Sequence, residues 1–286
     1  MLWLLPIAIF AISSASILIR LTPADPVAIT FWRLAFATVI VLLVGVYKGV
    51  EMPRGKALFY SALSGLFLAT HFLTWIPSLF LTTVAASTTL VNIHPVLMLL
   101  IAKLLNERVG RAAAVGVVVA TVGSVLITLS PGGLVGDVLA LLGAASFAGY
   151  LAMGKLVRSS VGTLGYVSVS YGVASTISLT VGAALGSNLI HYDLYVFFMF
   201  LLIASVPMML GHTIFNYLLG RYRAVTIAAS TLGEPVGAAA LAFLILGEVP
   251  TGFVDVFNIH VPLEAVGVVA TLTGLFLVIR EEVKNR

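Results

Sequence analysis

There is not one cysteine among the 286 residues, which excludes disulfides, cysteine-ligated metals and thiol catalysis. Charge is almost as scarce. Asp, Glu, Lys and Arg make up 9% of the chain, against about 25% in a soluble domain. The motifs of soluble catalysis are missing too. No His-Glu-x-x-His pair occurs, and no Ser, His and Asp set suggests an intramembrane hydrolase. "GYLAMGKL" (149–156) falls short of a phosphate-binding loop, because Leu156 stands where Ser or Thr is needed and no strand precedes it. No metal and no cofactor are therefore expected. The net charge of +4 does not argue for nucleic acid, since membrane proteins gather Lys and Arg on one side.

What the chain has in plenty is apolar length: 60% of it is hydrophobic. A membrane span needs about 20 mostly apolar residues. Cutting at charge, Pro and Gly clusters predicts ten: 2–20, 27–47, 57–77, 82–103, 111–130, 135–155, 163–186, 194–219, 224–247 and 262–280. The first run has no basic flank and no small-residue cleavage site, so it reads as a span and not as a signal peptide. The longest connection, 247–264, is expected to fold back as a lid or a short helix. With ten spans the termini share a side. That side takes 13 of the 15 Lys and Arg residues, leaving only Arg20 and Arg33 on the other. Both termini are therefore expected in the cytoplasm.

The chain also repeats itself. "VGVVVATVGSVLI" (115–127) matches "VGVVATLTGLFLV" (266–278), pairing Gly116 with Gly267 and Gly123 with Gly274, each at an offset of 151. "TLVNIHPVLMLLIAKLLNE" (89–107) matches "STLGEPVGAAALAFLILGE" (230–248), pairing Pro95 with Pro235 and, across a one-residue gap, Glu107 with Glu248. His71 precedes Pro95 by 24 residues, and His212 precedes Pro235 by 23. A unit of five helices is odd, so its second copy must be inverted. The predicted fold is all-α and integral to the membrane. Ten helices form two inverted-topology five-helix repeats, residues 1–130 and 131–286.

On "FWRLAFATVIVLL" (31–43), "HPVLMLLIAKLLNERV" (94–109) and "LGEPVGAAALAFLILGEVP" (232–250), the sequence resembles an EamA-type member of the drug/metabolite transporter superfamily. The resemblance implies a plasma-membrane carrier of small metabolites, often an exporter of amino acids or related compounds. It implies a central cavity between the first four helices of each half, with the fifth and tenth helices peripheral. One departure is that His94 fills the place held by Glu234 in the second half.

Glu234 lies about ten residues into its span, roughly 15 Å deep at 1.5 Å per residue. A charge at that depth costs about 2.5–3.5 kcal/mol and should face protein or water. Pro235 beside it removes a backbone donor and opens the helix, as Pro95 does beside His94. A freed carbonyl is tolerated there only where it lines a cavity. Glu234 and His94 are thus candidates for binding substrate or proton, and a buried structural tie is the competing reading. His71 and His212 either gate the two ends of the cavity and shuttle protons or bridge helices as neutral rings. Asn92 and Asn216 contact substrate or a neighbouring helix. Ser14 belongs to a hydroxyl cluster (Ser13, Ser14, Ser16) whose counterpart in the sixth span is Ser146 with Tyr150. Trp75, Phe147 and Tyr150 suit an aromatic wall, or anchors at the interface. Arg33 is expected to snorkel outward or pair with Asp25. The seven-residue glycine pairs Gly116/Gly123 and Gly267/Gly274 make smooth faces for close packing of a helix or a second protomer.

These features favour a secondary transporter, coupled to protons or to the substrate gradient, whose partners are a small molecule and the bilayer. It would be a monomer or a homodimer. A membrane enzyme acting on a lipid or prenyl substrate would carry an acidic cluster or metal motif at a loop. A channel would carry a continuous polar stripe. Neither is visible in the sequence.

Overall fold

The computed structural model describes residues 1–82, 84–127, 133–246, 253–256 and 259–284. Helices dominate. α1 spans Leu2–Arg20, α2 Pro26–Tyr47 and α3 Gly55–Leu81. The next predicted span is broken in two, α4 (Val84–Val91) and α5 (His94–Ala102). α6 covers Arg111–Ile127, α7 Leu134–Arg158, α8 Thr163–Leu185 and α9 Leu194–Leu219. The ninth span is also broken, into α10 (Ala224–Ser230) and α11 (Gly233–Leu241), which runs on as a wide π-type turn, Ala242–Leu246. α12 is Leu263–Lys284.

Local chemistry accounts for the boundaries. The Asp25 carboxylate accepts from Val27 N at 2.7 Å and Pro26 opens α2, so the first turn has a cap and a residue whose missing N–H is no loss. Asp193 caps α9 in the same way through Val196 N at 2.9 Å. α8 stops at Gly186, whose φ of +67° is left-handed backbone that glycine enters freely. The interior of α9 carries Pro207 within a π-type stretch, Ala204–His212, because a proline cannot complete the regular ladder.

One expectation is met and another needs correction. The spans at 82–103 and 224–247 are opened beside their prolines, as the sequence suggests. Asn92–Ile93 and Thr231–Leu232 interrupt them, two and three residues before Pro95 and Pro235 at the nearest point. Proline has no N–H for the carbonyl four residues back, so the ladder fails upstream of the ring. The connection read as a lid or short helix contains an antiparallel hairpin, β1 (Phe253–Val256) with β2 (Ile259–Pro262), in which Val254 faces Val261. The fold is therefore helical but not purely α. Phe253, Val254 and Val256 are aromatic or β-branched residues that favour extended backbone over a helix. Glu248, paired by the repeat with Glu107, lies outside the described residues.

Among the described residues, seven helical runs are long and apolar enough to cross a membrane, counting Ala224–Ile245 across its break as one. The outward-facing side chains of these and the remaining helices agree with that environment: Leu43 of α2, Leu100 of α5 and Leu272 of α12 are 67%, 73% and 52% exposed, an apolar exterior that water would not tolerate on this scale. The interior is layered by pairs of helices. α3 runs along α7, α1 packs on the π-type stretch of α9, and α2 lies against α8. α6 pairs with α12 on one flank. There Gly116 lies against Gly274 and Gly123 against Gly267, so close that a Cβ on Gly116 would stand 2.7 Å from the Gly274 carbonyl oxygen.

Candidate functional site

The two helix breaks meet in the centre of the molecule. Pro95 cannot donate to Val91 O, and the His94 side chain takes that carbonyl instead, Nδ1 to O at 2.9 Å. The other ring nitrogen, Nε2, lies 2.9 Å from the Thr231 hydroxyl at the second break. Glu234, one residue into α11, donates its backbone N–H to Thr231 O at 2.8 Å. Its carbonyl accepts from the Ser13 hydroxyl of α1 at 3.2 Å. Its side chain is 8% exposed and has Asn92, from the first break, as its hydrogen-bonding neighbour. Each break thus supplies a side chain to the other.

Around these groups lies a cavity with about 30 Å³ of room for the centres of water-sized spheres. One water needs about 10–15 Å³ on that measure, so the space suits a couple of waters and not a metabolite. His71, Trp75, Asn92, His94, His212 and Glu234 line it, and Thr231, Phe147 and Phe215 complete the wall. Phe147 of α7 is the hub for three imidazoles from three other helices. Its ring centroid is 4.7 Å from His71, 4.6 Å from His94 and 5.6 Å from His212. Trp75 stacks on His71 at 5.8 Å and 11°. His71 is fixed by Nδ1 to Gly143 O, 2.9 Å.

Three buried polar atoms on residues of this wall, Trp75 Nε1, His212 Nδ1 and Asn92 Oδ1, have no hydrogen-bond partner among the described residues. Buried polar groups are ordinarily satisfied, and each exception asks for a reason. A cluster of them around one small cavity supplies donors and acceptors ready for a guest. Among the described residues no group of three or more His, Asp or Glu side chains is placed to hold a metal ion.

Three residues proposed from the sequence stand elsewhere. Ser14 turns its hydroxyl back to Ala11 O at 2.7 Å, the usual fate of a helical serine in an apolar segment. Asn216 and Tyr150 sit behind the wall. The Asn216 amide donates to the Tyr150 hydroxyl and, at 2.8 Å, to His212 O, so the pair braces His212. Pro95 and Pro235 open α5 and α11 without lining the cavity. Arg33 neither snorkels nor pairs with Asp25, whose carboxylate caps its own helix. It is fully buried, with its guanidinium carbon 4.0 Å above the Phe72 ring and an N–H toward Met208 Sδ at 3.8 Å, while Nε and NH1 have no partner among the described residues. Packing between α2, α3 and α9 traps the side chain too deep for its length to reach the surface.

The site also uses residues the sequence reading passed over. Thr231 is the important one. In the repeat it aligns with Val91, so it is the second half's polar counterpart to an apolar position, and that asymmetry was the available signal. Ile12, Ala15 and Phe215 left no such mark, because apolar residues in an apolar chain look alike.

Taken together, an apolar exterior, paired helices and a central polar cavity where two broken helices meet define a multi-pass helical membrane protein built around an internal site. The comparisons name the family. The model of the EamA-like transporter family matches residues 1–129 and again residues 134–280, and the chain belongs to that family. A solved crystal structure of another protein is similar at a TM-score of 0.79, over 98% of this chain and 97% of that one, with 16% identity. At that identity the likeness speaks for the fold alone. No curated protein matches the chain.

Proposed function

We propose that the protein is a secondary transporter that moves small metabolites, amino acids or related compounds, outward across the plasma membrane by alternating access. The observation that carries this reading is the set of unpartnered polar atoms around a closed cavity at the junction of two broken helices. Discontinuous helices that meet at midplane are how carriers present backbone and side-chain groups to a solute. A cavity this small admits a metabolite only after the protein opens, which is what a closed state of the proposed cycle requires.

The proposed architecture is ten spans in two inverted five-helix repeats, residues 1–130 and 131–286. The packing supports it. Exchanging the halves turns α3 on α7 into α9 on α1, and α5 on α7 into α11 on α1, and each of these contacts exists. The pairs α2–α8 and α6–α12 map onto themselves. Sequence matching pairs Gly116 with Gly267, yet Gly116 touches Gly274. That crossing is what a two-fold axis between the antiparallel helices α6 and α12 produces. Both termini are assigned to the cytoplasm on the distribution of Lys and Arg. Glu234 and His94 are assigned to substrate or proton, with His71 and His212 facing the same space.

The test is flux into and out of proteoliposomes for a panel of amino acids and metabolites, with and without a pH gradient. Saturable flux of at least one solute that responds to the gradient supports the reading. Absence of flux for the whole panel by protein that is folded and oriented defeats it.

A further inference from the structure

A second cavity, larger and more open than the central one, lies between the last turn of α2, the turn that joins α7 to α8, and the end of α9. It encloses about 760 Å³ and shares no lining residue with the central site. Three cations border it, Lys48, Arg158 and Arg221, and none of its lining residues is acidic. Apolar side chains, Val44, Leu164 and Ile214 among them, form the remaining wall.

Two of the cations, Arg158 and Arg221, are held by contacts within the protein. Arg158 is buried, with Nε–H donating to Asn216 O at 3.0 Å and an NH2 hydrogen to the Thr163 hydroxyl at 2.6 Å. These partners fix the guanidinium, but they are neutral. Arg221 is set over the Tyr217 ring at 4.0 Å, and Lys48 is exposed at the end of α2. One flank of the cavity continues into the apolar outer surface of α2, where Leu43 and Val46 are 67% and 81% exposed.

We propose that this cavity binds the headgroup of an anionic phospholipid from the leaflet on the Lys- and Arg-rich side, with its acyl chains lying along α2. The shared chemistry is a phosphate among three cations. The apolar wall, and its continuity with the lipid-facing side of α2, favour a lipid over a free anion, which would gain nothing from either. Basic pockets between helices at the membrane surface take acidic headgroups for this reason. The proposal does not depend on which solute the central cavity accepts.

The full-length protein, purified in detergent and stripped of lipid, is tested by native mass spectrometry and thermal unfolding. It is given phosphatidylglycerol, phosphatidylcholine or inorganic phosphate. Phosphatidylglycerol adducts should persist where phosphatidylcholine is lost, and melting should rise with phosphatidylglycerol alone. The variant Lys48→Gln/Arg221→Gln should bind phosphatidylglycerol about thirtyfold more weakly, the effect of two charges each contributing as a basic residue does at a membrane surface. Lys48→Arg, which keeps the charge, should bind as the parent does and controls for folding. Equal retention of the two lipids overturns the proposal, as does undiminished binding by the double variant. Equal protection by inorganic phosphate makes the site one for soluble anions and overturns it too.

Discussion

His94 Nε2 lies 2.9 Å from the Thr231 hydroxyl, and the two residues stand at the breaks of two different helices. The hydroxyl is also 2.7 Å from Ala228 O, and His94 Nδ1 is 2.9 Å from Val91 O. A hydroxyl has one hydrogen for two acceptors. With a neutral ring, Nδ1–H serves Val91 and the hydroxyl must turn to Nε2, leaving Ala228. With a charged ring, Nε2–H donates to the hydroxyl, which then serves Ala228. The state of one imidazole is thereby tied to the hydrogen bonding of both broken helices.

Gly116→Val tests the packing of α6 on α12. The new Cβ would meet Gly274 O at 2.7 Å and Leu277 Cβ at 3.0 Å, contacts that backbone cannot relieve cheaply. Overpacking of this kind costs about 1–3 kcal/mol. The melting temperature in detergent should fall by several degrees. The control Ala114→Val, in the same helix and at an exposed or half-buried position, should leave it nearly unchanged. Equal effects would mean that the close approach contributes nothing particular.

Glu281 gives a pH dependence with a definite sign. Burial pushes its carboxyl up, but the N–H groups of Ala113 and Gly110 and the Arg223 guanidinium outweigh that and hold it below the ordinary 4.5. The bonds are 2.7 and 2.8 Å to the backbone donors and 3.3 Å to Arg223. A depressed value means stability that is present above the unfolded pKa and is lost as pH falls through the folded one. Wild type should melt higher than Glu281→Gln at pH 7, and the gap should close below about pH 4. A gap that persists in acid would show that the glutamine is misplaced for another reason.

Arg33 makes a less intuitive prediction. A fully buried cation with two unpartnered nitrogens carries a desolvation cost that its sulfur and aromatic neighbours do not cancel. Arg33→Met keeps the length and the contact with Phe72 while removing the charge. Melting should stay level or rise, whereas transport should fall if the charge balances Glu234 or an anionic solute. Loss of folded protein on this substitution would mean the cation is needed for structure.

How much of this was legible beforehand follows from physics. The helices could be read because lipid forces each span to satisfy its own backbone and to turn apolar groups outward. Glu234, His94 and His71 could be read because polar groups at that depth are costly and stand out. Their neighbours could not be assigned, since Phe215 and Ile12 differ in no visible way from residues that face lipid. Arg33 was misread because the position of a charge along a helix says nothing about the direction it faces. The hairpin at 253–262 was missed because a membrane protein's connections obey no hydropathy rule. Thr231 was overlooked because matching the halves rewards identity, and its importance lies in a difference.

Topology can be checked with reporter fusions. The termini and the connections near Arg54 and Arg158 should report from the cytoplasm, given 13 of 15 basic residues on that side. A C-terminus reporting from outside would remove the ten-span arrangement and, with it, the inverted repeat.

Glu234 decides between a working site and a structural tie. Its backbone is committed, N–H to Thr231 O and C=O to the Ser13 hydroxyl, so a side-chain change leaves the helix break intact. Glu234→Gln retains shape and most hydrogen bonding and removes only the titrating group. If the carboxyl carries proton or solute, flux should fall by roughly tenfold or more, equivalent to about 1.4 kcal/mol, while melting moves little, and any response to a pH gradient should weaken with it. Glu234→Ala should lose flux as well and should also destabilise, because Asn92, whose Oδ1 already lacks a partner among the described residues, would lose its hydrogen-bonding neighbour. If the residue is instead a tie between α11 and the first break, glutamine replaces it functionally and only alanine does harm. Normal, gradient-sensitive flux in Glu234→Gln beside a poorly folding Glu234→Ala would therefore move the proton site elsewhere, and His94, through its contact with Thr231, would be the next residue to substitute.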